Sequence, residues 1–443
     1  MSEFSFSPEQ LGDLAATVLD EARRQGATAC EVDASEGLGQ NVSVRLAEVE
    51  TIEYNRDKGV GVTVYLGQCK GHASTSDFSP AALADTVKAA LAIARYTAED
   101  PCAGLADPAR FATVFPDLDV YHPWPLPVEQ AIELAQRCEA AGRAVDTRIG
   151  NSEGASVSTS ASRWVYANSA GFSGLGESTR HGISAALIAE DGSGMQRDYW
   201  YTAARAAGDL DDAEAVGRKA GERAVRRLGG RRVKTGEYPV LFEAPVASSL
   251  ISHWVSAVSG GSLYRKTSFL NDSLGARVFS PVVEIVEDPF LIRGLASGAF
   301  DAEGVATTRR ELVTAGVQNG YFLGSYSARK LGMESTGNAG GAHNLLVSAT
   351  ANFDALLAEL GTGLLVTELL GHGINLVTGD YSRGAAGFWV ENGKISHPVE
   401  EITVAGNLRD IFKGIVGIGD DWQASSSRRV GSILVGKMTV AGH

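Results

Sequence analysis

The stretch from Gly361 to Asn407 constrains the fold most, because it spells out three strands and the turn between two of them. Leu364 to Leu370 is short, apolar and bounded by glycine, the pattern of a buried strand. Ala385 to Val390 is a second apolar run, and it ends at Glu391-Asn392-Gly393. Asn-Gly at such a place predicts a tight hairpin, since both central positions of a type I′ turn need positive φ. The third strand, Lys394 to Ala405, contains Pro398, which has no N–H for a ladder and so predicts a bulge or an edge there.

The N-terminal half alternates helices with groups of strands. Ser7 and Pro8 open a helix whose apolar face is Leu11, Leu14, Ala15, Val18, Leu19 and Ala22, with Gly26 as its stop. The period then changes to two, giving strands over Ala29 to Val32, Val42 to Val49 and Gly61 to Leu66, with Asp57-Lys58-Gly59 read as a turn. Further helices are predicted from Ser79, over Val128 to Val145 and over Asp211 to Leu228, with a proline-rich link from Pro116 to Pro127. Between them come strands over Ala155 to Ser160, Arg163 to Asn168, Gly182 to Glu190 and Gln196 to Thr202. Short links between strands, without a strict β-α-β rhythm, favour an α+β domain with a largely antiparallel or mixed sheet. From Gly236 the chain is strand-dominated and glycine-rich, so the reading is two domains: residues 1–232, α+β, and 233–443, β-rich with a curved sheet or barrel.

Charge and cysteine content narrow the function. A net charge of −14 opposes nucleic-acid binding, which needs a basic face. The one basic run, Arg223 to Lys234, follows a helical pattern and is read as a domain junction. Cys30, Cys69, Cys102 and Cys138 form no C-x-x-C pair, no secretory signal is evident, and no apolar run is long enough to cross a bilayer. These features predict reduced thiols and a soluble, cytoplasmic protein.

None of the eight histidines precedes a glutamate, so the H-E-x-x-H zinc motif is absent. Gly150-Asn151-Ser152-Glu153-Gly154 matches G-x-S-x-G, but a strand pattern follows it where the nucleophile elbow needs a helix, and a hairpin turn is the reading adopted. Ser327-Ala-Arg-Lys330 is an S-x-x-K, and Lys234-Thr235-Gly236 resembles its K-T-G companion in reversed order. A serine hydrolase using Ser327 and Lys330 is therefore carried as the alternative.

A family resemblance is more specific. Thr378 to Ile395 (TGDYSRGAAGFWVENGKI), Ile402 to Ile411 (ITVAGNLRDI) and the segment Gly304 to Gly341 resemble the PmbA/TldE branch of the TldD/PmbA family, a likeness that spans almost the whole chain. The resemblance implies an intracellular zinc peptidase built from a TldD-like and a TldE-like subunit, with the metal in the former. In TldD-like chains the second domain opens on H-E-x-x-x-H, and a cysteine near the C-terminus adds a ligand. Here Phe242 and Ala247 stand at the histidine positions around Glu243, and Ser426 to Val435 holds no cysteine. What this implies is a subunit with no catalytic residues and no cofactor of its own, paired with a zinc-bearing TldD-like partner, homodimeric when isolated, acting on a peptide or unfolded protein. Glu243 is then a helix N-terminal acid. Asp380, Tyr381, Ser382 and Arg383 are assigned to the wall of a channel for extended peptide. Of the alternating pair Phe388 and Trp389, one is expected in the core and one free for a partner or substrate.

Overall fold

The computed structural model describes residues 4–192 and 194–443. Its first half runs α1 (Pro8–Arg24), β1 (Ala29–Arg45), β2 (Glu48–Leu66), β3 (Cys69–Thr75), α2 (Pro80–Tyr96), α3 (Val128–Arg143), β4 (Asn151–Asn168), β5 (Ser173–Asp191), β6 (Gly194–Ala204) and α4 (Ala213–Arg226). The helix starts follow the capping residues. Ser7 Oγ accepts the Gln10 N–H while the Gln10 side chain takes the Ser7 N–H, and Ser79 and Asp212 cap α2 and α4.

The strands form one sheet in the order β3-β2-β1-β4-β5-β6, antiparallel at every pairing, so of the two expected arrangements this half adopts the antiparallel one. α1 and α2 cover one end of one face, burying Val32, Val62 and Val165, and α3 and α4 cover the other end, burying Val44, Val157 and Leu187.

Two turn assignments need correction. Asp57, Lys58 and Gly59 lie inside β2, paired with Gly37, Glu36 and Ser35 of β1. The reversal falls instead at Leu46-Ala47, where φ is 51° and 67°. Burial alternates along β1 from Cys30 to Val44 without a break, so the strand crosses its polar middle and its partner must do the same. Likewise Gly150 to Gly154 is no hairpin turn: Asn151 to Gly154 open β4, with a bulge between Ser152 and Gly154 where φ of Gly154 reaches +107°. Ser152 is fully buried there and its hydroxyl accepts the Gly154 N–H.

The second half continues with β7 (Gly236–Phe242), α5 (Ala244–Ala257), α6 (Gly260–Tyr264), β8 (Ile285–Asp288), β9 (Arg310–Thr314), β10 (Val317–Gln318), α7 (Ser325–Leu331), β11 (Asn344–Val347), α8 (Phe353–Leu360), β12 (Gly363–Leu370), β13 (Asp380–Glu391), β14 (Lys394–Asn407), α9 (Leu408–Lys413), β15 (Ile415–Ile418), β16 (Arg428–Arg429) and β17 (Ile433–Ala441). β14, β13, β12, β7 and β17 pair in sequence and β14 also pairs with β17, closing a barrel. Asn392 and Gly393 take positive φ at the β13–β14 turn, and the register slips beside Pro398, both as the sequence implies. Val240, Phe242, Leu364 and Val366 join the main core with α5 and Trp254, while Leu241, Leu365 and Phe388 pack under α8 on the other side. Trp389 meets the Tyr238 ring edge-on at 5.0 Å, so neither aromatic of the Phe388–Trp389 pair is left free.

The halves interlock. Arg329 of α7 donates to the carbonyls of Cys102, Gly104 and Leu105. Arg231 bridges to Val399, and Arg232 pairs with Glu401, so the basic run works as a junction. All four cysteines are free thiols, and burial pushes those of Cys30 and Cys138 up to about 12. No described helix is long and apolar enough to cross a membrane.

Candidate functional site

A cavity of about 860 Å³ opens where β6 of the first half faces the start of α5 in the second. Trp200 to Arg205, Glu243 to Pro245, and the loop from Asp421 to Ser425 line it. It therefore lies directly against the position where the sequence comparison places the degenerate metal motif.

That position is filled by packing. Phe242 ends β7 with no exposed surface, and Ala247, one turn into α5, is equally buried. Neither side chain has a lone pair to offer a metal. Glu243 sits at the N-cap of α5 without capping it; both carboxylate oxygens lie 2.9 Å from Arg223 Nη1. Arg223 Nε also donates to Asp198 Oδ1 at 3.2 Å, Arg227 lies 3.8 Å from Asp198, and Arg227 reaches Glu368 at 2.5 Å. Burial disfavours the Arg223 charge, yet Glu243 and Asp198 outweigh it and its pKa is raised. The result is a chain of three acids and two arginines joining β6 and α4 to α5 and β12.

The first amide of α5 is also occupied. Ala244 N–H donates to Ser432 Oγ at 3.0 Å, and the buried Ser432 hydroxyl donates to Asp421 at 2.6 Å. The C-terminal segment that lacks a cysteine thus supplies a structural serine. The donor set here, a phenyl ring, a methyl group, a guanidinium-bound carboxylate and an acid-bound hydroxyl, does not fit zinc. No group of three or more histidine, cysteine or acidic side chains that could hold a metal occurs among the described residues.

Asp380, Tyr381, Ser382 and Arg383 do not form one wall and do not line this cavity. Strand alternation splits them: Asp380 and Ser382 are exposed, whereas Tyr381 is 1 % exposed against the ring of His253. Arg383 is half-buried and donates to Leu369 O at 3.3 Å. Ser327 and Lys330 do not work as a pair either. Ser327 Oγ donates to Gly324 O, and Lys330 is tied to Asp100 at 2.9 Å, which with the Tyr326 hydroxyl raises its pKa, the wrong direction for a base. The glycine-rich turn at Thr336 to Gly341 is pinned by Asn338 to Glu287 and by Ala339 to Asp301.

The lining residues Trp200, Arg205 and Trp422 and the Arg223 network carry no motif. One signal was readable: Arg223 falls on the α4 face that also carries Val216, Ala220 and Ala224, where a charge needs a partner.

Fold and site together define a metallopeptidase-family chain. Residues 30–94, 121–228 and 235–442 match, in turn, domain 1, the central domain and the C-terminal domain of the PmbA/TldA metallopeptidases. The chain belongs to the TldD/PmbA family, in its PmbA/TldE branch. It is 49% identical over 413 residues to Metalloprotease PmbA of Escherichia coli O157:H7, covering 93% of this chain and 92% of that one. A Metalloprotease PmbA homolog of Haemophilus influenzae is 46% identical, covering 98% and 97%. Among solved structures, a Bacteroides thetaiotaomicron protein described as a candidate modulator of DNA gyrase superposes with a TM-score of 0.93 at 30% identity, covering 98% of this chain and 99% of that one. TldE from Thermococcus kodakarensis shares the fold with a TM-score of 0.85 at 19% identity, covering 97% and 100%.

Proposed function

We propose that this chain is the non-catalytic subunit of a cytoplasmic TldD–TldE-type metalloprotease, enclosing peptide substrate while a TldD-like partner holds the zinc and performs hydrolysis. One observation carries the reading: behind the cavity wall formed by Glu243 to Pro245 the two histidine positions are the buried Phe242 and Ala247, and Glu243 is bound to Arg223. A two-chain system has support in Haemophilus influenzae, which contributes both a PmbA homolog and a TldD homolog to the relatives, the latter 25% identical over 393 residues. The cavity offers an apolar and polar lining, Trp200 and Trp422 with Arg205, and the edge of β6, whose backbone suits an extended peptide.

The test is copurification. Tagged chain recovered from its native lysate should bring a zinc-bearing partner of related sequence. Alone it should hold well under one zinc per chain and cleave no unfolded protein. Stoichiometric zinc that survives dialysis, together with cleavage by the isolated chain, would overturn the proposal.

A further inference from the structure

Three buried polar groups meet without partners where α5 packs on the start of β13. Tyr381 is 1 % exposed, yet its hydroxyl makes no hydrogen bond. His253 Nε2 and Arg383 Nε are also buried and unpartnered. The rings of His253 and Tyr381 lie 6.2 Å apart, edge to face, and Arg383 is the charge that acts on both. Its Nη2 donates to Leu369 O at 3.3 Å, which accounts for one nitrogen of the guanidinium and not for Nε. Buried polar groups almost always have a partner, so three orphans side by side mark a position that something else fills.

The chemistry of the three selects the occupant. Arg383 Nε can only donate, a tyrosine hydroxyl donates readily, and a neutral imidazole donates from Nε2 when its proton sits there. One acceptor between them satisfies all three. It should also be negative, because Arg383 forms no ion pair among the described residues and no acid bears on either ring. The acids close in sequence are engaged elsewhere: Asp380 with Thr378 and Asn407, and Glu368 with Arg227. A water molecule accepts two hydrogen bonds, one short of the three donors, and leaves the guanidinium charge uncompensated beside a buried ring. Size narrows the choice further. None of the three residues lines the 860 Å³ cavity or those of about 630, 460 and 390 Å³ elsewhere on the chain, so the gap takes a single ion and not a peptide group. His253 and Arg383 are only half-buried, which gives the ion a way in.

We propose that His253, Tyr381 and Arg383 bind a monovalent anion of the size of chloride, tying α5 to β13. The site is separate from the cavity, and the proposal stands whether or not the chain is a non-catalytic subunit. Without the ion, burial and the Arg383 charge keep His253 neutral; a bound anion offsets that charge, so the His253 titration belongs in chloride-free buffer.

The test uses the full chain. Thermal unfolding is followed in sodium chloride and in sodium isethionate at equal ionic strength, the isethionate anion being too large for the gap. A ligand held only by the folded state adds stability as the logarithm of its concentration above Kd. The parent Tm should climb with each tenfold rise in chloride and stay level in isethionate. Arg383→Met should abolish the climb. Tyr381→Phe keeps the ring and removes one hydrogen bond to a charge, so it should move the climb to about tenfold higher chloride. Crystals grown without chloride and soaked in sodium bromide should show an anomalous peak within reach of the three side chains. A parent Tm that is the same in both salts means that the gap holds water, and overturns the proposal; a bromide peak without that solution effect is an adventitious ion only. A variant of either kind that is folded by circular dichroism and keeps the parent's chloride response overturns it as well, as does a bromide peak confined to other positions.

Discussion

Lowering the pH should destabilise this fold through His253. The side chain lies on α5 beside Tyr381, its Nε2 has no hydrogen-bond partner, and burial, aided by the positive charge of Arg383, lowers its pKa to about 4. In the unfolded chain an imidazole titrates near 6.5, so between those two values the folded protein binds fewer protons than the unfolded one. Stability is then full above about pH 6.5 and is lost as pH falls towards 4. With these pKa values the loss is about 2 kcal/mol at pH 5 and about 3 kcal/mol below pH 4, a ceiling for a side chain that is only partly buried. His253→Phe keeps a ring against Tyr381 and removes the titration. Urea unfolding of both proteins at pH 7 and pH 5 isolates the term, because every other titrating group is common to the two. The parent should lose up to about 2 kcal/mol more than the variant between those conditions. Equal losses, within about 0.5 kcal/mol, would refute the assignment of His253 as a neutral buried base.

Other expectations concern the junction and the cavity. Arg223→Ala leaves Glu243 buried without its ion-pair partner, while Asp198 keeps Arg227, and should cost about 3–5 kcal/mol in chemical unfolding, most of it recovered when Glu243→Gln is added. Trp422→Ala removes a 43 % exposed aromatic from the cavity wall and should raise KM of the reconstituted complex more than it lowers kcat, as measured by steady-state kinetics. Phe242→His with Ala247→His places two imidazoles in fully buried sites; Tm should fall and zinc analysis should find no tightly held metal while Arg223 still holds Glu243. Ser327→Ala and Lys330→Met should leave peptide turnover by the complex unchanged, and loss of turnover in both would revive a serine-based mechanism.

How much of this was legible depended on whether a feature was local. Capped helix starts at Ser7 and Ser79 and the Asn392-Gly393 turn are written in adjacent residues, and the structure places them as read. The long strands were not legible as single elements. β1 crosses Glu36, Gly37 and Gly39, residues of weak strand preference, because Glu36 is buried beneath the chain's start, where it accepts the Ser5 and Phe6 amides. The site divided the same way. Phe242, Glu243 and Ala247 were assigned from the family resemblance over a contiguous stretch, whereas the partner of Glu243 lies on another helix and could be found only by folding the chain. Tyr381 was misplaced for the opposite reason: it was grouped with its sequence neighbours, and strand alternation separates neighbours.

The Arg223 chain of ion pairs acts as a ratchet on sequence change. A metal-binding version of this site would differ at Phe242, at Ala247 and in the cysteine-free C-terminal segment, and would also need Glu243 released from Arg223. Each change made singly is unfavourable: an imidazole at either buried position lacks a partner, and removing Arg223 takes away the ion-pair partner of Glu243 and leaves Asp198 with Arg227 alone. Any path between the two forms therefore crosses less stable intermediates unless several substitutions arrive together. A chain in this state is held there by its own packing.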